Sequence, residues 1–148
     1  MSDPGYAQAV QWKLHLASPP AEVFRLLSTD AGRERFWAEH SVSSDSSFTL
    51  TFPGQEKLRC AIVASTPPHH FAFRYFDETL AEFTLLDDER GGTDLLLSEF
   101  GFKDSVHWTE NHAGWIQVLL CLKAAADHGV DLRNHDPART WAQGYCES

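Results

Sequence analysis

The fold of this chain is decided by residues 108–129, which read WTENHAGWIQVLLCLKAAADHG. Apolar residues recur in this stretch at the spacing of one helix face, at Trp108, Trp115, Leu119, Leu122 and Ala126. An amphipathic helix of this kind needs an apolar surface to pack against. The stretch therefore predicts one long helix that covers another layer of the structure.

The ends of the predicted helix carry residues that are typical of helix termini. Asp104 or Ser105 can cap its N-terminus, and Gly129 suits the position just after its last turn. Ile116 and Val118 widen the apolar stripe between these ends. We therefore expect a helix with a broad buried face that ends near residue 129.

Six upstream segments alternate apolar and polar residues with the two-residue period of a β-strand. They are residues 10–16, 48–52, 58–62, 71–75, 81–85 and 95–99. Turn sequences such as Pro53-Gly54 and Gly91-Gly92 join successive segments, which favours an antiparallel meander. Because the first segment is distant from the others in sequence, we expect it to pair with the last.

Two short helices are predicted between the first strand and the meander. Ser18 can cap the first one, since the two prolines that follow are tolerated in a first helical turn. The second spans about residues 30–38 and carries Phe36 and Trp37. Residues 41–47 form either a serine-rich loop or a weak edge strand. This order of elements predicts a single α+β domain with helices on one face of an antiparallel sheet.

Composition narrows the possible functions. The chain has 148 residues and a formal net charge of -9, which argues against nucleic acid and anionic membrane surfaces as partners. No apolar run reaches the roughly 20 residues needed to cross a bilayer. Residues 1–8 lack the pattern of a signal peptide, and three cysteines are an odd number, so we expect reduced thiols and a cytoplasmic protein. An aromatic content of 12% indicates either a ring-rich core or a cavity lined with rings.

Several segments resemble a known group of proteins. They are residues 18–24 (SPPAEVF), the pair Phe36-Trp37, residues 91–93 (GGT), the pair Gly101-Phe102, and Gly114-Trp115 followed by Leu119 and Leu122. Across residues 9–129 the chain resembles the helix-grip fold of the START-like, or SRPBCC, superfamily, and within it proteins similar to the domain of the Hsp90 ATPase activator. The resemblance implies a curved sheet of about six or seven strands wrapped around the long C-terminal helix. It also implies a pocket between sheet and helix.

The strand and helix periods assign the side chains that would line such a pocket. The candidates are Trp12, Phe48, Phe71, Phe73, Tyr75, Phe83, Leu97, Glu99, Trp108, His112, Trp115 and Leu119. An apolar pocket with few polar groups is the usual form of a small-molecule site. Glu99 either lies inside it with a raised pKa or reaches water at its strand end. His112 can pair with Glu99 or remain a core histidine, and Tyr75 can offer its hydroxyl group or simply pack.

Other kinds of site find no support in the sequence. His69 and His70 are adjacent, so they would point to opposite faces of a strand, and no metal-binding spacing such as HExxH or CxxC occurs. No GxSxG nucleophile turn occurs either. We therefore expect no metal and no cofactor.

Residues 130–148 form a distinct C-terminal segment. Trp141 and Tyr145 stand there among polar residues, and two large aromatic side chains are unusual in a disordered tail. We expect the segment to pack on this domain or on a second copy, so a homodimer is possible.

Three functions remain open from the sequence. The first is binding of a small apolar or aromatic molecule. The second is an enzyme of cyclase, hydrolase or isomerase type that uses Glu99, His112 and Tyr75. The third, implied by the resemblance alone, is an interaction module with a chaperone partner.

Overall fold

A computed structural model describes residues 7–148, in which seven strands form one antiparallel sheet. The strands are β1 (Val10–Leu16), β2 (His40–Ser43), β3 (Ser47–Thr51), β4 (Lys57–Thr66), β5 (His70–Arg74), β6 (Leu80–Asp87) and β7 (Thr93–Phe100). Their order across the sheet is β1-β7-β6-β5-β4-β3-β2. The segment in which no signal peptide is expected, residues 1–8, lies largely outside the described residues.

The helices occupy the predicted places in the chain. α1 (Pro20–Ser28) and α2 (Asp30–Arg33) follow β1, and α3 (Ser105–His128) follows β7. This architecture confirms the predicted α+β helix-grip fold. Within residues 7–148, none of the helices is both long enough and apolar enough to cross a membrane.

The first and last strands pair as expected from their separation in sequence. Val10 of β1 lies opposite Glu99 of β7, and Leu16 lies opposite Thr93. β6 pairs with the other side of β7, where Ala81 lies opposite Glu99. Glu99 therefore lies on an interior strand of the sheet, next to the edge strand β1.

The long helix begins and ends at the predicted residues. The Asp104 side chain accepts a hydrogen bond of 2.8 Å from the backbone N–H of His107 and so caps α3. Gly129 follows the last turn with a φ of 64°, a left-handed conformation that glycine adopts without a steric penalty.

One face of α3 packs on the sheet as the spacing predicts, since Trp115, Leu119 and Leu122 are buried. Ile116 does not extend that face, because its side chain is 43% exposed. It lies four residues before Leu120, which is also exposed, and these two residues occupy the solvent side of the helix.

The start of α1 differs from the prediction. The N-cap position is Pro19, which makes no side-chain capping bond. The hydroxyl group of Ser18 instead shares its single proton between two acceptors, Asp127 Oδ1 at 2.7 Å and the Ala126 carbonyl at 2.8 Å. Ser18 therefore joins the beginning of α1 to the end of α3.

The second short helix, α2, also ends earlier than the predicted residue 38. Regular helix ends at Arg33, and residues 34–38 form a turn that delivers Phe36 and Trp37 to the core. The serine-rich stretch begins as a four-residue edge strand, β2, which decides between the two alternatives for residues 41–47.

Candidate functional site

A cavity of about 580 Å³ lies beside the N-terminal half of α3. Five parts of the chain surround it: Trp37 in the turn after α2, residues 107–118 of α3, the β3–β4 turn at residues 52–56, residues 75–77 after β5, and residues 137–148. This volume falls within the range of about 300–1,000 Å³ that is common for small-molecule sites.

Three buried aromatic side chains, Trp37, Tyr75 and Trp115, form the floor of the cavity. The indole N–H of Trp37 donates to the Tyr75 hydroxyl oxygen at 3.2 Å. The ring centroids of Tyr75 and Trp115 lie 4.8 Å apart, and those of Trp37 and Trp115 lie 5.9 Å apart. Because burial raises the pKa of Tyr75 well above its ordinary value, the phenol remains neutral.

The turn after α2 places Trp37 in this floor. The Trp37 backbone N–H donates to the Arg33 carbonyl at 2.8 Å. Arg33 is itself buried, and its guanidinium group donates to the Leu27 carbonyl and to Ser41 Oγ. Gly32 allows the close approach of α2 to α1, since a Cβ atom there would lie 2.5 Å from Leu26 Cα.

Glu99 lies directly behind the cavity wall and has no exposed surface. Trp115 Nε1 donates to Glu99 Oε1 at 2.8 Å, and Asn111 Nδ2 donates to Oε2 at 2.9 Å. The Thr79 hydroxyl group donates to the same Oε2 at 2.5 Å. Burial raises the pKa of this carboxyl group, although the three donors oppose the rise. Of the two alternatives for Glu99, the water-exposed strand end is therefore wrong.

A row of polar side chains connects Glu99 with the mouth of the cavity. Asn111 Nδ2 lies 3.5 Å from His107 Nε2, and that ring nitrogen lies 4.0 Å from Asp77 Oδ2. Asp77 also forms an exposed ion pair with Lys103 at 3.2 Å. Asn111 and His107 line the cavity, so a chain of polar contacts links the Glu99 carboxyl group to the cavity surface.

Asn111, His107 and Thr79 are not among the residues that the sequence predicts for the site. His107, Asn111 and Trp115 follow one another at intervals of four residues, which places them along one line of α3. This spacing was a signal that could have assigned them to the same face as Trp115. Thr79 offered no such signal, because it lies in the irregular connection between β5 and β6.

His112 does not pair with Glu99, contrary to one of the expectations for it. Its ring is stacked between Trp12 and Trp108, at centroid distances of 4.7 and 4.4 Å. One residue along a helix rotates the side chain by about 100°, so His112 faces β1 where Asn111 faces Glu99. The Trp12 indole N–H donates to the His112 carbonyl at 3.1 Å.

The other candidate residues fill the core below the cavity. Six of them are buried there, namely Phe48, Phe71, Phe73, Phe83, Leu97 and Leu119. Phe73 lies 5.5 Å from Phe48 and 5.9 Å from Phe83 between ring centroids, so rings from β3, β5 and β6 meet on the concave face. Of the full candidate set, Tyr75 and Trp115 line the cavity, and Glu99 lies behind it.

Arg133 anchors the C-terminal segment on the domain. Its buried guanidinium group donates to the backbone carbonyls of Glu34 and Ala38 at 2.7 and 2.9 Å. It also forms an ion pair with Asp131 at 3.0 Å. Further along the segment, His135 lies 2.6 Å from a Glu39 carboxylate oxygen.

The two aromatic residues of the segment are less buried than their size led us to expect. Trp141 is 47% exposed and lines the cavity, and Tyr145 is 40% exposed. The end of the segment returns to α3, where Gln117 Nε2 donates to the Ser148 carbonyl at 2.5 Å. The segment therefore forms one wall of the cavity.

The part of the chain that the structure describes has no evident metal site, and two of its three thiols are buried. Residues 7–148 contain no group of three or more His, Cys, Asp or Glu side chains placed to hold a metal ion. Cys60, Cys121 and Cys146 are free thiols, and burial raises the pKa of Cys60 to about 12. Its thiol is therefore protonated and unreactive at neutral pH.

The curved seven-stranded sheet, the long helix across it and the cavity beside that helix define a protein of the START-like helix-grip class. Residues 17–127 match the family model described as "Activator of Hsp90 ATPase homolog 1-like protein". Since this match covers most of the chain, the protein belongs to that family. No curated protein sequence matches the chain significantly.

Three solved structures illustrate the likeness in fold. Protein SSP2350 from Staphylococcus saprophyticus has 22% identity and a TM-score of 0.74, with 85% of this chain and 96% of that chain covered. The Aha1 dimer from Colwellia psychrerythraea has 16% identity and a TM-score of 0.73, with 82% and 98% covered. CalU16 from Micromonospora echinospora has 18% identity and a TM-score of 0.64, with 80% and 76% covered. At these identities the likeness shows the fold alone.

Proposed function

We propose that this protein binds a small apolar or aromatic molecule in the cavity beside α3. The cavity itself carries the proposal, because it combines a volume of about 580 Å³ with the aromatic floor of Trp37, Tyr75 and Trp115. Phe52 and Phe76 add a stacked pair of rings to the wall, with centroids 5.8 Å apart. Aromatic rings contribute large apolar contact areas, which suits a flat hydrophobic ligand.

Gly114 provides a direct test of this proposal. It lies on α3 and lines the cavity, and a Cβ atom added there would meet no atom within 4 Å. A leucine at this position would extend from this open Cβ position into the cavity that Gly114 lines. Alanine would add one methyl group and is the matched control, because both substitutions replace glycine with a good helix former.

The measurement is titration with the neutral fluorophore N-phenyl-1-naphthylamine. We expect binding by the wild type and by Gly114→Ala, and a loss of binding of about tenfold or more in Gly114→Leu, since the side chain occupies the ligand's place. Circular dichroism checks that all three proteins are folded. Equal binding by all three folded proteins would show that the probe binds elsewhere. Native mass spectrometry of freshly purified protein would then identify any ligand that is retained.

Glu99 favours a second candidate function, a small-molecule enzyme. A general acid or base works best when its pKa lies near the working pH, and burial raises the pKa of this carboxyl group toward that range. Asn111 and Trp115 stand between Glu99 and the cavity, and His107, not His112, is the neighbouring histidine. The enzyme hypothesis predicts that Glu99→Gln abolishes turnover of any substrate found by screening while binding of that substrate persists. Unchanged turnover in this variant would refute it.

A further inference from the structure

We propose that the ligand of this cavity carries a positive charge, in the form of a protonated amine on an apolar or aromatic body. This inference rests on the proposed function, since it names the chemical class of the molecule bound there. It follows from the signs of the charges around the cavity and from the exposed faces of the rings that line it.

Every side chain with a full charge among the described lining residues is acidic. Glu56, Asp77 and Glu110 line the cavity, and no lysine or arginine of residues 7–148 does so. Lys103 forms an ion pair with Asp77 and offsets that one carboxylate. Within the same residues, neither Glu56 nor Glu110 lies within ion-pair distance of a basic side chain, so two negative charges are left without a partner.

The carboxylates at the cavity have the same sign of charge as the whole chain, so both favour a positively charged ligand. A ligand with a carboxylate or phosphate group would be repelled by Glu56 and Glu110, whose exposed side chains act through solvent, so this repulsion is strongest at low salt. A ligand with an ammonium group would be attracted there, and the net charge of -9 would favour its approach. His107 is the one further lining side chain that can carry positive charge.

The aromatic residues at the cavity reinforce this preference. Phe52, Phe76 and Trp141 line it and are only partly buried, so ring surface remains free for a ligand. The face of an aromatic ring attracts a cation that lies within about 6 Å of its centroid. An aromatic amine can therefore stack its apolar body on these rings and keep its ammonium group near a carboxylate.

Two nearly isosteric probes of opposite charge test the inference: 2-(1-naphthyl)ethylammonium and 1-naphthylacetate. Neutral 1-ethylnaphthalene gives the reference for the apolar part. Calorimetric titrations at about pH 8 keep ordinary histidines neutral and the primary amine protonated. We expect the ammonium probe to bind about tenfold more tightly than the acetate at low salt, with a difference that shrinks as salt screens the charges.

Variants assign the preference to named residues. The double substitution Glu56→Gln and Glu110→Gln is expected to remove most of the difference between the probes. Glu89→Gln is the matched control, because Glu89 is an exposed glutamate in the β6–β7 turn that does not line the cavity. It should leave the difference unchanged.

The outcomes separate this inference from the function on which it rests. Tighter binding of the ammonium probe that depends on Glu56 and Glu110 supports the inference. Binding of the neutral or acetate probe as tightly as the ammonium probe overturns the inference and leaves the proposed function standing. If none of the three probes binds the folded protein, both the inference and the proposed function are wrong.

Discussion

The indole N–H of Trp115 donates a 2.8 Å hydrogen bond to Glu99, and this bond fixes a fully buried carboxyl group against the wall of the cavity. Trp115 contributes one ring face to the floor and directs its polar edge toward β7. The same residue thus shapes the cavity and orients the acid behind it.

The first prediction concerns the pH dependence of stability. Because the pKa of Glu99 is raised in the folded state, the folded protein binds more protons than the unfolded chain just above the ordinary glutamate pKa of 4.5. The free energy of unfolding should therefore decrease as pH rises from that value through the raised pKa. We expect urea titrations between pH 4 and pH 8 to show this decrease in the wild type and a smaller one in Glu99→Gln. Identical pH profiles for the two proteins would contradict it.

The second prediction compares two tryptophans that line the cavity, one buried in its floor and one half-exposed in its wall. Trp37 contacts the rings of Phe73 and Phe83 and is nearly fully buried, so Trp37→Ala should reduce the free energy of unfolding by about 3–5 kcal/mol. Trp141→Ala removes a half-exposed ring and should change stability far less while it weakens probe binding. Chemical denaturation and fluorophore titration of both variants measure the two effects. Equal losses of stability would count against this division of roles.

The third prediction concerns the anchor of the C-terminal segment. Arg133→Met keeps much of the aliphatic stem but leaves the carbonyls of Glu34 and Ala38 without their donor, at a cost of about 1–3 kcal/mol for each group that stays dry. We expect faster hydrogen exchange and proteolysis in residues 130–148.

Arg139→Met is the matched control for this experiment. Arg139 is exposed, and its ion pair with Asp136 lies at the surface, where such pairs contribute little. If both variants loosen the segment to the same extent, the buried guanidinium group is not its anchor.

The fourth prediction gives the same segment a pH dependence. Partial burial lowers the pKa of His135, but hydrogen bonds to Asp131 and Glu39 outweigh it and leave the pKa above its ordinary value of 6.5. A raised histidine pKa stabilises the folded state below 6.5, and this contribution is lost as pH rises through the folded-state pKa. Protection of residues 130–148 from exchange, corrected for the intrinsic rate, should therefore decrease across that interval. His135→Gln should show no such step, and an unchanged step in that variant would assign it to another group.

Much of the fold could be predicted from the sequence because its signals are periodic. Apolar and polar residues that alternate with a two-residue period predicted most of the strands. The spacing of Trp115, Leu119 and Leu122 predicted the helix and its buried face. The local ends were harder to predict. Ser18 is a residue type that commonly caps helices, but its hydroxyl group binds Asp127, which lies more than 100 residues away in sequence.

The cavity was less predictable because irregular segments form much of it. Three of these segments show no periodic pattern of apolar residues, namely the β3–β4 turn, residues 75–77 and residues 137–148. Only tertiary packing brings them together. The concave face predicted for the site is instead filled by phenylalanine rings, since their combined volume occupies the space between sheet and helix. Glu99 was recognised as unusual, but Asn111 and Thr79, its partners, look like ordinary surface residues in sequence.

Because irregular segments form much of the cavity, many residues that would select a ligand are separate from those that stabilise this fold. Glu56 lies in the β3–β4 turn, and Thr140 and Trp141 lie in the C-terminal segment, so these residues contribute little to the phenylalanine core. Substitutions there can change shape and charge at the mouth while the free energy of unfolding stays nearly constant. A scaffold of this kind is suited to directed evolution, because libraries confined to these segments would sample new specificities with few unfolded members.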